Sequence, residues 1–357
     1  MRDREMAPTD RLRRSVLAGI LTLGLVTGVQ ELHGQGPWRG YPPGTIEANR
    51  AGIFSAEPRS WEGAARLLIP MGARAVGMGR AVTAFQGSES AFWNPAGLAR
   101  IESNRLGIFR RNDIVGEATA FSLILARQPL GTLTFSYQFL DLGDQDFVDD
   151  YQNVLGTISN RDHLGIVSFA TQILPWLDTG LNFKVYRAQM SCHGQCPTSG
   201  PAGTAYLVDA GLLAFPLPSV PLRIGLMVAH AGPDLQIINV EQADPLPTRL
   251  RAAVAYDILT HFLDREDMEF WTTVELEERV RKPGSPVLYL GSEFVAGRAD
   301  QISVRAGYGA GQPGLPPGLA IGLGIKYQQF EIGIGKALPT SIMGETEPAQ
   351  VTFGVIF

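Results

Sequence analysis

The chain has 357 residues with a net charge of -5 at pH 7; only 18% are charged and 41 are glycine. That length holds two ordinary domains or one large β-structure, and so little charge is unusual for a soluble enzyme of this size. The balance leaves no basic surface for nucleic acid, since Arg100, Arg105, Arg110 and Arg111 form only a local cluster.

At the N-terminus, Arg11, Arg13 and Arg14 precede "SVLAGILTLGLVTGV". An apolar stretch of about 15 residues behind basic residues reads as an export signal. It is assigned residues 1–35, with cleavage near Gly34 to Gly36; twin-arginine export and a retained anchor are the alternatives. Nothing later offers 18 consecutive apolar residues, so no transmembrane helix is expected in the mature chain. Residues 36–66 form an extension without a motif.

Residues 67–103 contain "GARAVGMGRAVTAFQGSESAFWNPAGLARI", Gly72 to Ile101. Gly77 and Gly79 could suggest a dinucleotide loop, but the third glycine is out of place and no strand leads in. A plug threaded through a cylinder fits better, because Gly72, Gly77, Gly79 and Gly97 permit tight turns and close approach to a wall. Asn94 before Pro95 is a natural turn, with Asn94 capping backbone donors.

From residue 104 to 357 the dominant pattern is alternation with period two, the mark of strands with two unlike faces. In "TLTFSYQF", Leu133, Phe135, Tyr137 and Phe139 point one way and Thr132, Thr134, Ser136 and Gln138 the other. Segments of this kind begin near residues 104, 117, 130, 161, 178, 203, 221, 248, 267, 286, 300, 317, 328 and 347. At roughly 10 to 13 residues each they have the length of tilted membrane strands. Alternate connections are short, about two to six residues, as outer-membrane barrels require on their periplasmic side. The fold expected is all-β: a transmembrane antiparallel barrel of fourteen strands, closed because lipid offers no partner to a free sheet edge. Such a cylinder is too wide for its own side chains to fill, which is why the preceding segment is assigned to its bore.

Lys184, Arg251, Glu275, Glu293, Arg305 and Glu331 fall on the lumen-facing positions. They pair with one another and the plug, or line a pathway; Glu293 and Arg305 face each other across a hairpin centred near Gly297 to Asp300. In the loops, Cys192 and Cys196 of "SCHGQCPTSG" suit a small disulfide ring in an oxidising compartment. The alternative, a metal site with His193, lacks a fourth ligand. Asp141, Asp144, Asp146, Asp149 and Asp150 read as a solvated acidic loop or a surface cation site. Phe147, Val148, Tyr151, Val154 and Leu155 have helical spacing and could form a lid, unless "NVLGTISN" prolongs the third hairpin outward. The histidines at 33, 163, 193, 230 and 261 build no triad or metal centre, and no G-x-S-x-G elbow occurs, so neither enzyme activity, cofactor nor metal is expected.

"GARAVGMGRAVTAF", "SAFWNPAGLA", "NVLGTISNRD", "AGPDLQ", "PLPTRLRAAVAY" and "YLGSEFVAGRADQISVRAGY" together resemble the PorV/PorQ outer-membrane proteins, a branch of the FadL-like fourteen-stranded barrels. The resemblance runs from about residue 67 to the end, and the core from Asn94 to Gly97 is shared with the wider group. Arg80 stands where another glycine is expected and Glu89 where aspartate is usual. Implied by the resemblance are an outer-membrane location in a diderm bacterium, contact with outer-membrane lipid, and a terminal Phe357 read by the barrel-assembly machinery. Also implied is a non-enzymatic secretion role of the type IX kind, with secreted cargo domains or a translocon as partners. The alternative it implies is a FadL-like passive channel for a hydrophobic ligand; a porin-like structural protein is a third possibility.

Overall fold

The computed structural model describes Glu62 and residues 64–113, 116–149, 151, 153–196, 200–217, 219–237, 243–262, 267–310, 318–338 and 349–357. The signal assigned to 1–35, most of the extension 36–66, and Asp150 lie outside the described residues.

Fourteen strands follow one another: β1 Arg105–Asp113, β2 Gly116–Arg127, β3 Gly131–Val148, β4 Val154–Leu174, β5 Leu177–Gly194, β6 Ala202–Ala214, β7 Leu222–Ala231, β8 Arg249–Asp257, β9 Met268–Arg279, β10 Val287–Ala296, β11 Gln301–Gly309, β12 Gly318–Tyr327, β13 Phe330–Ala337 and β14 Gln350–Ile356. Each pairs antiparallel with its sequence neighbours, and β1 closes on β14 in a register running from Arg105 opposite Ile356 to Arg111 opposite Gln350. The Phe357 N–H, donating 2.9 Å to the Asn104 carbonyl, extends that seam by one bond. Closure satisfies both edges of every strand, the condition for a sheet in hydrocarbon.

The two faces are sorted as the alternation requires, but inside out relative to a soluble protein. Thr132, Thr134, Ser136 and Gln138 are buried on the inner face of β3, while Phe135 and Tyr137 of the same strand are exposed. Phe121, Phe183, Leu212, Val274, Ile321, Leu323, Ile334 and Val351 continue an exposed apolar band on other strands. Soluble monomers rarely expose more than a few hundred Å² of contiguous apolar surface; an outward apolar band of this kind is what a membrane barrel presents. Among the described residues no helix is long and apolar enough to span a membrane.

Connections at the end where β1 begins and β14 finishes are mostly tight, including residues 175–176, 297–300 and 328–329. Two depart from the expected two to six residues. Residues 215–221 join β6 to β7, and residues 258–267 join β8 to β9 with a short helix inside. In that helix (Ile258–Phe262) Asp257 binds the first free N–H groups, accepting from Leu259 at 3.0 Å and Thr260 at 3.4 Å.

The largest difference from the sequence reading is at the opposite, long-loop end. β4 begins at Val154, not near 161, and β3 runs on to Val148, so β3, β4 and β5 have 18, 21 and 18 residues and stand above the rest of the wall. Phe147 and Val148 lie in a strand, with Phe147 opposite Gly156 and Val148 opposite Val154, so they belong to a prolonged hairpin and not to an amphipathic helical lid. The acidic residues are spread along it: Asp141 meets Arg161 at 3.2 Å, Asp144 accepts from Ser159 at 2.5 Å, and Asp149 accepts from the backbones of Tyr151 and Asn153. Cys192 and Cys196 form a disulfide at the tip of β5.

Candidate functional site: the threaded segment and the lumen

Glu62 and residues 64–104 lie against the inner wall. Near the long-loop end, Glu62 accepts from Arg249 at 2.9 Å and Arg66 reaches Asp162 at 2.7 Å. The Pro70 carbonyl then takes a hydrogen bond from Gln350. A five-residue helix, α1 (Ala73–Gly77), lies along β12 and β13. Its first N–H groups are satisfied from outside, because so short a helix cannot satisfy them itself: Ala73 donates to Thr352 Oγ1 at 2.9 Å, and Arg74 and Ala75 donate to the two oxygens of Glu89 at 3.0 and 2.9 Å. Glu89 sits directly under Gly72, whose φ of +102° no side chain would favour. Burial pushes the Glu89 carboxyl above its ordinary value despite the hydrogen bonds from Ala75 and Arg74.

The chain leaves α1 through Gly79 and Arg80, both left-handed with φ of +61° and +73°. This explains the expected glycine at position 80. Arginine holds the conformation because its N–H donates to the Ala75 carbonyl at 2.8 Å and its own carbonyl accepts from Arg251 at 2.9 Å.

Beyond it, Thr83 gives its N–H and hydroxyl to Glu275 at 2.9 and 2.7 Å. Asn94 makes three bonds: its Oδ1 accepts from Ala96 at 3.1 Å, and its Nδ2 donates to the carbonyls of Thr83 and Leu212 at 2.8 and 3.0 Å. Pro95 opens the following 3-10 turn (Pro95–Leu98), where its missing N–H costs nothing. Gly97 packs inside the segment against Phe85 and Ser90.

The wall receives this backbone through its own glycines. A Cβ on Gly77 would lie 2.8 Å from Gly322 Cα, one on Gly79 2.6 Å from Tyr308 N, and one on Gly291 2.8 Å from the Met78 carbonyl oxygen. Gly180, Gly211, Gly225, Gly307 and Gly335 are likewise overlain by backbone or side-chain atoms of the segment. Apolar packing completes the fit: Met78, Phe85, Trp93 and Ala96 join Leu213 and Trp271 in one buried cluster.

Each lumen-facing charge read from the sequence lies inside the cylinder. Arg251 pairs with Glu275 at 2.7 Å, Arg305 with Glu293 at 2.7 Å, Arg105 with Glu331 at 3.1 Å, and Lys184 with Asp209 at 2.5 Å. Glu293 also takes a forked contact from Arg74, so one wall carboxylate clamps both the segment and β11. A buried pair broken on one side costs about 3–5 kcal/mol; the segment is tied to these pairs by Arg74 on Glu293, Thr83 on Glu275 and the Arg80 carbonyl on Arg251.

Sequence reasoning missed Asp209, His230 and Asp178. Asp209 sits on β6, whose inner face also carries Ala205, Leu207 and Leu213; because the segment packs there, the polar-in rule fails locally and hides the aspartate. His230 occupies a bulge in β7, with φ of +59°, and its N–H donates 2.8 Å to Asp209. Asp178 holds Arg100 at 2.7 Å near the exit of the segment; a charge at an inward strand position was the available signal.

Among the described residues, cavities lie on two sides of the segment. One, of about 50 Å³, is bounded by Lys184, His230, Arg249 and Arg251 toward the long-loop end. The other, of about 290 Å³, lies toward the short-turn end between residues 82–93 and the wall of β7 and β9–β14.

No family model matches the chain, and no curated protein matches it. Solved structures do. The CymD monoaromatic hydrocarbon channel aligns with a TM-score of 0.54 at 12% identity, over 81% of this chain and 98% of CymD. The P. putida toluene transporter TodX aligns with a TM-score of 0.53 at 10% identity, over 80% of this chain and 98% of TodX. At such identities the likeness is one of fold alone, a closed antiparallel β-barrel, here of fourteen strands.

Proposed function

We infer that the protein is a passive channel for small hydrophobic molecules in the outer membrane of a diderm bacterium, with its short turns on the periplasmic side. The observation that carries this reading is the bore itself, obstructed by a segment seated on wall glycines and buried ion pairs and flanked by two cavities. A plain porin needs no such fitted obstruction. The fold likeness to CymD and TodX, described as a hydrocarbon channel and a toluene transporter, points the same way. Uptake of labelled toluene by cells carrying the protein tests it. Uptake should exceed that of cells without it and should change in Asn94→Ala; rates equal to those of cells lacking the protein would overturn the reading.

The secretion role suggested by the PorV/PorQ-like motifs is the second reading. The raised β3–β5 sheet, with Tyr151 and Val154 exposed at its end, offers a surface for a protein. Capture of secreted cargo domains by the purified barrel, lost in Tyr151→Ser, tests it. Recognition of Phe357 by the barrel-assembly machinery belongs to both readings.

A further inference from the structure

The cavity at the short-turn end has an unequal complement of polar groups. Its carboxylates are engaged: Glu293 by Arg74 and Arg305, Glu331 by Arg105, Glu89 by two backbone N–H groups, and Glu269 by the Trp271 indole at 2.7 Å. Its donors are not. Arg223 lies with its guanidinium carbon 3.8 Å from the Trp271 ring centroid and has no hydrogen-bonded carboxylate among the described residues. Lys326 has no ion pair among them either. Two further N–H groups, Gln86 Nε2 and Arg105 Nε, are buried without an acceptor. Leaving buried donors unmet is costly, so this cavity favours an occupant rich in acceptors.

The remainder of the lining sets the occupant's body. Phe85, Trp93 and Trp271 give the lining its aromatic surface, while Ser303 Oγ and the Arg305 guanidinium lie over Gly324. A volume of about 290 Å³ is near the lower end of small-molecule sites. It takes a ring-sized molecule and not a long alkyl chain. A guanidinium stacked on an indole has its face fixed and its N–H edge free, which is the geometry for a forked bond to a planar carboxylate.

We propose that this cavity binds a small aromatic monocarboxylate, its carboxylate on Arg223 and its ring against Phe85, Trp93 and Trp271. Lys326 draws the anion toward the mouth. The assignment deepens the channel reading and rests on it only for how the ligand arrives, because binding is measured apart from transport.

The test is calorimetry on the full chain purified in detergent, with benzoate, toluene and inorganic phosphate as probes. Benzoate is expected to bind at least tenfold more tightly than either of the others. Arg223→Gln should weaken benzoate at least tenfold and leave toluene unchanged, and Lys326→Gln should slow binding more than it weakens it. Heat-dependent gel migration checks that each variant has folded. Should Arg223→Gln not fold, Ser303→Leu, which places a branched side chain in the same cavity, must abolish benzoate binding. Benzoate no tighter than toluene, phosphate equal to benzoate, or unchanged benzoate binding in Arg223→Gln or Ser303→Leu each overturns the site. Benzoate binding without toluene uptake keeps the site and removes the channel reading; the converse does the reverse.

Discussion

Gly307→Ala tests whether the segment is held by backbone contact with the wall. Gly307 lies on the inner face of β11, where an added Cβ would sit 2.6 Å from the Met78 carbonyl oxygen and closer still to Met78 C and Gly79 N. Heavy atoms in good contact lie about 3.5–4.0 Å apart, so with Met78 C and Gly79 N at 2.1 Å the methyl intrudes by roughly 1.5 Å. Both surfaces are main chain, and no rotamer change relieves the overlap. Overpacking of this kind costs about 1–3 kcal/mol, and replacing a strand glycine returns about 0.5–1 kcal/mol. β11 is paired along its length to β10 and β12, so the segment yields before the wall does. A net penalty of about 1–2 kcal/mol multiplies the unseated population roughly five- to thirtyfold. Trypsin cleavage at Arg66, Arg74 and Arg80 should accelerate by that factor, and single-channel recordings should show more frequent opening. Gly165→Ala, whose Cβ meets nothing within 4 Å, is the control. If Gly307→Ala is cleaved as slowly as the parent and stays closed, the glycine contacts do not hold the segment.

Asn94→Asp should unseat the segment more than Asn94→Ala. Aspartate keeps the acceptor for Ala96 but turns a second oxygen toward the carbonyls of Thr83 and Leu212; the opposite ranking in a proteolysis assay refutes the assigned bonds. Arg251→Met and Glu275→Gln should each destabilise by about 3–5 kcal/mol, with the double variant recovering much of the loss in a denaturant series. The Glu89 carboxyl is raised by burial, so its contribution to seating is complete below the ordinary glutamate value of about 4.3 and is lost as pH rises through the raised one. Conductance should therefore increase as pH rises above the ordinary glutamate range, and Glu89→Gln should flatten that dependence; an unchanged slope in the variant contradicts the placement of Glu89.

The wall was legible because membrane strands carry a strict period of two. Leu133 to Gln138 alternate without error, and thirteen of the fourteen strand starts fall within three residues of their expected positions. The exception is informative. Residues 154–160 extend beyond the outward apolar band, so their alternation lapses and β4 reads as loop. Pairing of Glu293 with Arg305 was legible because hairpin geometry fixes register. The seat of Asn94 on Leu212 was not, since a contact between residues 118 positions apart leaves no mark on either local pattern. Arg223 escaped notice for a related reason: its meaning comes from Trp271 on another strand.

The bond from Ala73 to Thr352 carries a consequence for biogenesis. Translation delivers the segment first, but one of its anchoring hydroxyls comes from the last strand to be synthesised. Until that strand arrives the early residues cannot complete their docking, so they must wait in an aqueous compartment or inside a half-built cylinder. Maturation of this protein is therefore a matter of timing as much as of geometry, and whatever inserts the cylinder has to leave room for a guest already attached to it.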